Sequence, residues 1–410
     1  MFLFGGMRAS VVAGVIAVLI VVAAVIQFVR PVPQAKAQIS LSAQGQIAGT
    51  PPQLPWPANV QATLDIPGIG SFGEHGPVTP GPIGSVAKMM TAYLVLKAHP
   101  LGPYNNGPSI TVTPQDAALY QQDASTQQSV MRVIAGEKLT ERKLLEGLLV
   151  ASGNNIATML ADWVGGNPQH FAVMMNQEAK ALGMNHTHYV GPSGLNPETT
   201  STAQDQVKLA EVAMKIPVFA EIVDMAQMTV PGQVALEYNY NYLVGHDGIV
   251  GVKTGSTLQS GGCFVFAGKR VMGNQNVIVY GGVEGQPGTK TGSQLQMSLV
   301  DGEDLLNAVS RIVTSRTVIP SGEPVGTINV PWQSNVVLQT TKPITLLGWP
   351  GLGYSTHVSL TKLPVDVKEL PAGSVVGTLT VTTGSQTVTV PVETVSKLTG
   401  PSLAWRMSRI

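Results

Sequence analysis

The chain is short of three things. Among its 410 residues there is one cysteine, charged residues make up 12% and aromatic residues 5%. A lone cysteine forms no intrachain disulfide, so stability must come from a buried core, and Cys263 reads most simply as a small apolar member of that core. Charge is scarce against the ~25% of ordinary domains. The 24 Lys and Arg balance the 24 Asp and Glu, so neither a nucleic-acid surface nor an acidic or basic tail is indicated. Long apolar runs are also missing, with one exception. Ser10 to Val29 is almost unbroken Val, Ala, Ile and Leu, interrupted by Gly14 and Gln27 and bracketed by Arg8 and Arg30. At about 1.5 Å per residue a helix of that length spans a bilayer core. Residues 1–37 are therefore expected to be a signal anchor, or a signal peptide cut at Ala35-Lys36-Ala37, with the bulk of the chain extracytoplasmic and associated with the cell membrane, or secreted after cleavage.

Glycine and proline are plentiful, 45 and 29 residues, and they punctuate the rest. Residues 38–57 have little that could bury a face and read as a linker. Val60 to Ile66 alternates as a strand does, and the Gly- and Pro-rich stretch 67–84 reads as turns leading to Ser85. Helical periodicity marks Thr140 to Val150, Asn155 to Val164, Pro168 to Leu182 and a helix capped by Thr202 that runs to Lys215. From Met228 the texture changes to short β-prone runs, Gly248 to Lys253, Cys263 to Ala267 and Asn276 to Val283, closed by a helix from Gln294 to Val313. Helices in the middle with flanking strands imply an α+β domain with an antiparallel sheet. Beyond Thr317 only regularly spaced strands appear, which implies a separate small all-β sandwich over 316–395 and a short amphipathic tail over 396–410.

Three short motifs stand in order: Ser85-Val-Ala-Lys88, Ser152-Gly-Asn154 and Lys253-Thr-Gly255. Ser85 lies where turn-prone residues give way to an apolar helix, and residues at i and i+3 share a helix face, so its hydroxyl can meet the Lys88 amine. A serine is a weak nucleophile until a base takes its proton, and a lysine serves only if burial or a nearby cation lowers its pKa. Each motif alone has an ordinary structural reading: an exposed helix face, a turn with a helix cap, a strand end with a bend. Together, in this order, they form the set found in penicillin-binding proteins and serine β-lactamases. The chain resembles the low-molecular-mass D-alanyl-D-alanine carboxypeptidases of peptidase family S11. The texture between the motifs agrees: Gly136-Glu-Lys-Leu-Thr140, Leu182-Gly-Met184 followed by Gly191-Pro-Ser-Gly-Leu195, and Asp247-Gly-Ile-Val-Gly-Val-Lys253.

The resemblance implies a β-lactamase/transpeptidase-like catalytic domain over 58–315 and an acyl-enzyme reaction on peptidoglycan stem peptides ending in D-Ala-D-Ala, with β-lactams as covalent inhibitors and no metal or other cofactor. It implies Ser85 as nucleophile, Lys88 as base, and Ser152 and Asn154 facing the same cleft. Lys253 and Thr254 would bind the terminal carboxylate, Gly255 would let the substrate backbone approach, and the backbone N–H groups of Ser85 and Ser256 would hold the oxyanion. Two positions depart from the family's pattern: Asn155 where Asp is usual, and Ser193 where His is frequent; neither is expected to touch the reacting atoms. A serine β-lactamase shares the motifs, but no convincing Glu-x-x-x-Asn loop lies between Asn154 and Lys253. A non-catalytic β-lactam-sensing or wall-binding protein would not need Ser85, Lys88 and Lys253 intact. A zinc peptidase is suggested only by His186-Thr-His188, which has no third ligand at a matching spacing. The shortage of charge has a second consequence. Outside the membrane, in a strongly acidic medium, carboxylates neutralise and only the 24 Lys and Arg and 7 His stay positive, a small self-repulsion for this length.

Overall fold

The computed structural model describes residues 4–361 and 369–409. Residues 1–3, 362–368 and 410, which fall within the ranges 1–37, 316–395 and 396–410 given above, and the side chains of Arg8 and Ser10 lie outside that description. The chain divides into two compact units, Pro51–Thr314 with Leu347–Trp349, and Met1–Thr50 with Ser315–Leu346 and Pro350–Ile410.

The larger unit is built on a five-stranded antiparallel sheet in the order Ile249–Thr257, Gly261–Met272, Gln275–Gln286, Gln61–Ile66, Gly70–His75. The helices Thr291–Ile312 and Ala203–Ala213 pack on it. A cluster of helices completes the unit: Lys88–Ala98, Pro114–Ser125, Glu141–Leu149, Asn154–Gly165, Pro168–Ala181 and Pro217–Val223. Local chemistry explains their starts. Thr113 and Asp116 form a reciprocal capping box ahead of Pro114, and the side chains of Thr140, Asn167 and Thr202 each accept a backbone N–H of the first turn, which satisfies donors a helix start leaves open. One core runs from the Lys88 helix through Leu144, Leu148, Ile156 and Phe219 to the sheet at Val265, and it includes Cys263, which is fully buried.

The smaller unit carries the expected β-rich region. Its seven-stranded antiparallel sheet runs Lys36–Ile39, Pro324–Asn329, Val336–Thr340, Gln386–Thr394, Val375–Thr383, Gly353–Leu360, Gln44–Gln46. The two outer strands are consecutive in the chain and only residues 40–43 join them, so Ile39 and Gln44 lie at most ~18 Å apart. The sheet must therefore curl until its edges approach, enclosing Val325, Leu338, Leu379, Val381 and Val392. This corrects the reading of residues 38–57 as a linker. Lys36 to Ile39 pair with Asn329 to Gly326, and Gln44 to Gln46 pair with Ser355 to Gly353. Composition misled because these strands bury almost no side chain, and what they contribute is backbone hydrogen bonding along two sheet edges. Ahead of them a helix covers Phe4–Val29, and its segment Val11–Val29 is long and apolar enough to cross a membrane.

Candidate active site

The site is assembled where the Lys88 helix, the loop before Asn154 and the strand Ile249–Thr257 converge. Gly84 to Ala87 form a tight 3-10 turn that leads directly into the helix at Lys88. Gly84 opens it with φ +52°, a conformation that costs glycine nothing and other residues a good deal. Ser85 is half-buried on this turn, while Lys88 is fully buried. The Lys88 Nζ stands 2.7 Å from Ser85 Oγ, 2.7 Å from Asn154 Oδ1 and 3.1 Å from the Ser193 carbonyl. Burial pushes the Lys88 amine well below its ordinary pKa, the Lys253 charge pushes the same way, and Asp123 opposes them.

The strand bearing Lys253 to Ser256 runs beside this turn. A Cβ on Gly255 would lie 2.6 Å from the Ile83 carbonyl and 2.9 Å from the Ser85 amide nitrogen. Glycine is therefore required there so that the strand can press against the protein's own Ser85 turn, a different reason from the substrate approach expected above. The contact places the Ser85 and Ser256 segments side by side. Lys253 is buried, donates to the Thr254 carbonyl at 3.0 Å, and is lowered to about 7 by burial. Ser256 Oγ donates to the Thr291 carbonyl at 2.9 Å, which ties this strand to the helix Thr291–Ile312.

Between these walls lies a cleft of about 600 Å³ lined by Ser85, Ser152, Asn154, Thr254, Gly255 and Ser256 among others. Six of the eight residues singled out in the sequence thus line one cleft, with Lys88 and Lys253 buried beside it. Ser152 holds a left-handed φ of 57°, unusual for a non-glycine residue and characteristic of sites held by their surroundings. Sequence reasoning missed the opposite wall. Thr126 to Ser129, Leu195 and Tyr240 also line the cleft, and the Ser129 hydroxyl donates to Tyr240 Oη at 3.1 Å. The only signal for the first of these was an unbroken polar run, Ser125-Thr-Gln-Gln-Ser129, without helical or strand period.

Both departures from the family's pattern sit closer to the site than expected. Ser193 contributes its carbonyl to Lys88, a role that does not depend on its side chain. Asn155 is fully buried, accepts from the Met131 N–H at 3.1 Å and donates to the Met131 carbonyl at 2.8 Å. An ionised Asp could only accept. Glu237 and Asn241 do reproduce the Glu-x-x-x-Asn spacing, but Asn241 Oδ1 accepts from the Leu243 N–H of its own turn, and only Tyr240 between them lines the cleft. The His188 backbone pairs with Thr200, and among the described residues no group of three His, Cys, Asp or Glu could hold a metal ion.

Comparison with known proteins agrees with this architecture. A model of the D-alanyl-D-alanine carboxypeptidase family matches residues 74–282. A D-alanyl-D-alanine carboxypeptidase of Streptomyces sp. (strain K15) is 32% identical over 211 residues, covering 48% of this chain and 70% of its own. A D-alanyl-D-alanine endopeptidase of Escherichia coli (strain K12) is 32% identical over 204 residues, covering 48% of this chain and 62% of its own. The chain spans about half to three fifths of the length of the first curated relatives it matches. Among solved structures, penicillin binding protein 5 of Haemophilus influenzae superposes with a TM-score of 0.58 at 20% identity, covering 86% of this chain and 100% of the other. That likeness is one of fold, an α+β domain followed by a β domain. Family match, relatives and fold converge: the chain belongs to the Peptidase_S11 family of D-alanyl-D-alanine carboxypeptidases.

Proposed function

We propose that this protein is a serine D,D-carboxypeptidase that removes the terminal D-Ala from peptidoglycan stem peptides through an acyl-enzyme on Ser85. The observation that carries the proposal is the buried Lys88 amine 2.7 Å from the Ser85 hydroxyl, with burial and a second cation both favouring its neutral form. Ser85 Oγ attacks the penultimate D-Ala carbonyl and Lys88 Nζ takes the hydroxyl proton. The oxyanion that forms is held by the Ser85 and Ser256 N–H groups. Its collapse breaks the peptide bond as Ser152 gives its hydroxyl proton to the departing D-Ala amine and takes up the proton held by Lys88, which leaves Lys88 neutral again. Water, with its proton accepted by Lys88, then hydrolyses the ester and restores Ser85. Lys253 and Thr254 hold the terminal carboxylate, which confines the enzyme to chain ends. A β-lactam presents a strained amide and a carboxylate in the same relation and is expected to acylate Ser85.

We assign the penicillin-binding domain to residues 58–315, with the membrane contacted through the N-terminal helix and the catalytic unit outside it. Two relatives are D-alanyl-D-alanine endopeptidases, so cross-linked muropeptides belong in the test beside pentapeptides. A soluble form beginning at Pro31, which keeps the Lys36–Ile39 strand, is incubated with each substrate and with labelled penicillin. Release of D-Ala and a penicillin adduct on Ser85, both abolished by Ser85→Ala, are expected. Labelling that survives Ser85→Ala refutes the assignment.

A further inference from the structure

Lys88 touches three oxygens, and their chemistry is not equivalent. The Ser193 carbonyl can only accept, and so can Asn154 Oδ1. A neutral amine has two N–H bonds and one lone pair. With both N–H bonds spent on these acceptors, the lone pair is left for the Ser85 hydroxyl, the arrangement proton abstraction requires. The arrangement depends on which end of the Asn154 amide faces Lys88. Turned over, Asn154 Nδ2 would donate into the lone pair and remove the base.

A chain of hydrogen bonds fixes that orientation. The Thr126 hydroxyl donates to the Asp123 carbonyl at 3.0 Å, with the Gln122 carbonyl 3.4 Å away. Its lone pair is then free to accept from Gln128 Nε2 at 3.0 Å. Gln128 thereby turns its Oε1 toward Asn154 and accepts from Nδ2 at 2.8 Å. This leaves Asn154 Oδ1 for Lys88. The loop is held in place independently, since the Asn154 N–H donates to the Ser129 carbonyl at 2.8 Å and Asn155 clamps Met131.

We infer that Gln128 is a positioning residue that keeps the Lys88 lone pair on Ser85 by fixing the polarity of the Asn154 amide, with Thr126 setting the polarity of Gln128. The inference rests on the Ser85 acylation proposed above. Its test compares Gln128→Leu, which removes the acceptor, with Gln128→Glu, whose ionised carboxylate can only accept and so enforces the same polarity. The acylation rate with labelled penicillin is followed from pH 5 to 10, and folding is checked by thermal unfolding. Gln128→Leu is expected to slow acylation roughly tenfold, as loss of an orienting hydrogen bond does. Gln128→Glu is expected to hold the wild-type rate at the alkaline end while its rising limb moves to higher pH, because a nearby carboxylate favours the cationic lysine. If Gln128→Leu does not fold, Thr126→Val decides, with slowing expected and Thr126→Ser restoring the rate. Wild-type acylation in folded Gln128→Leu, or equal slowing in both Gln128 variants with an unmoved limb, overturns the inference. An unlabelled wild-type protein would instead refute the Ser85 reading itself.

Discussion

At the scale of single residues, the proposed reaction gives two buried lysines opposite tasks. In it Lys88 must be neutral to accept a proton, whereas Lys253 must be cationic to hold a carboxylate. Burial lowers both, but Lys88 also feels the Lys253 charge. Acylation by a penicillin should therefore rise with pH as Lys88 deprotonates, then fall above about 7 as Lys253 loses its charge. A β-lactam ester lacking the free carboxylate should keep the rising limb and lose the falling one, and a falling limb that persists with the ester would exclude Lys253 as its source. Lys88→Ala should remain folded yet acylate ~10²–10⁴-fold more slowly, the usual cost of a lost general base. The motif residues were legible because each sits in a triplet whose spacing has a chemical meaning. Gln128 and the Ser193 carbonyl were not, because one lies in an aperiodic loop and the other acts through backbone.

Among elements, the short segment Asn154-Asn155 does more than begin a helix. Through Asn154 N–H, Asn154 Nδ2 and both ends of the Asn155 amide it pins residues 128–131, of which Gln128 and Ser129 line the cleft. Asn155→Asp should keep the acceptor for the Met131 N–H but lose the donor to its carbonyl when ionised, leaving a buried charge and an unpaired carbonyl. The expected cost is ~1–3 kcal/mol at neutral pH. It should shrink in acid, where a protonated carboxyl donates again, so the melting temperature of the variant approaches wild type toward pH 4 or below. An unchanged difference across that range would show that the Asn155 donor is unimportant. The helices with polar caps and apolar periodicity were read to within a residue or two. Pro114–Ser125 escaped because its faces carry little apolar contrast, and the edge strand Gly70–His75 because glycines interrupt it.

For the whole molecule, the division into units sets what can be cut away. A fragment 51–314 keeps the five-stranded sheet, the helices and every residue of the proposed site, so it should still be labelled by penicillin. It loses Trp349, which stacks on Phe72 with ring centroids 3.8 Å apart. Removing a buried aromatic of this kind costs about 3–5 kcal/mol, so the fragment should melt well below the Pro31-to-end form. Complete loss of labelling in a folded fragment would refute the assignment of the chemistry to this unit.

The scarcity of charge acquires a physical form in the same unit. Among the described residues, every carboxyl whose pKa is displaced is displaced upward, always with burial as the largest cause. Glu141 and Glu211 are pushed up to about 7 and Glu284 to about 8. Both Glu141 oxygens and Glu284 Oε1 are buried without a hydrogen-bond partner, so ionising these groups has no compensation. A carboxyl raised in the folded state contributes stability that is fully present below its unfolded pKa, near 4.5, and is lost as pH climbs through 7 to 8. Acidification from neutral pH should therefore stabilise this protein through these groups, the reverse of the usual acid denaturation. Among the described residues five ion pairs oppose the trend, but a pair with an exposed partner, such as Lys97–Glu178, contributes at most about 1 kcal/mol. The melting temperature of the Pro31-to-end form is expected to be at least as high at pH 4.5 as at pH 7.5, with cooperative unfolding retained toward pH 2. Glu284→Gln, which stays neutral throughout, should flatten the rise. A melting temperature that falls steadily from pH 7.5 to 4.5 would mean that the ion pairs dominate, and the low charge would then have no bearing on an acidic exterior.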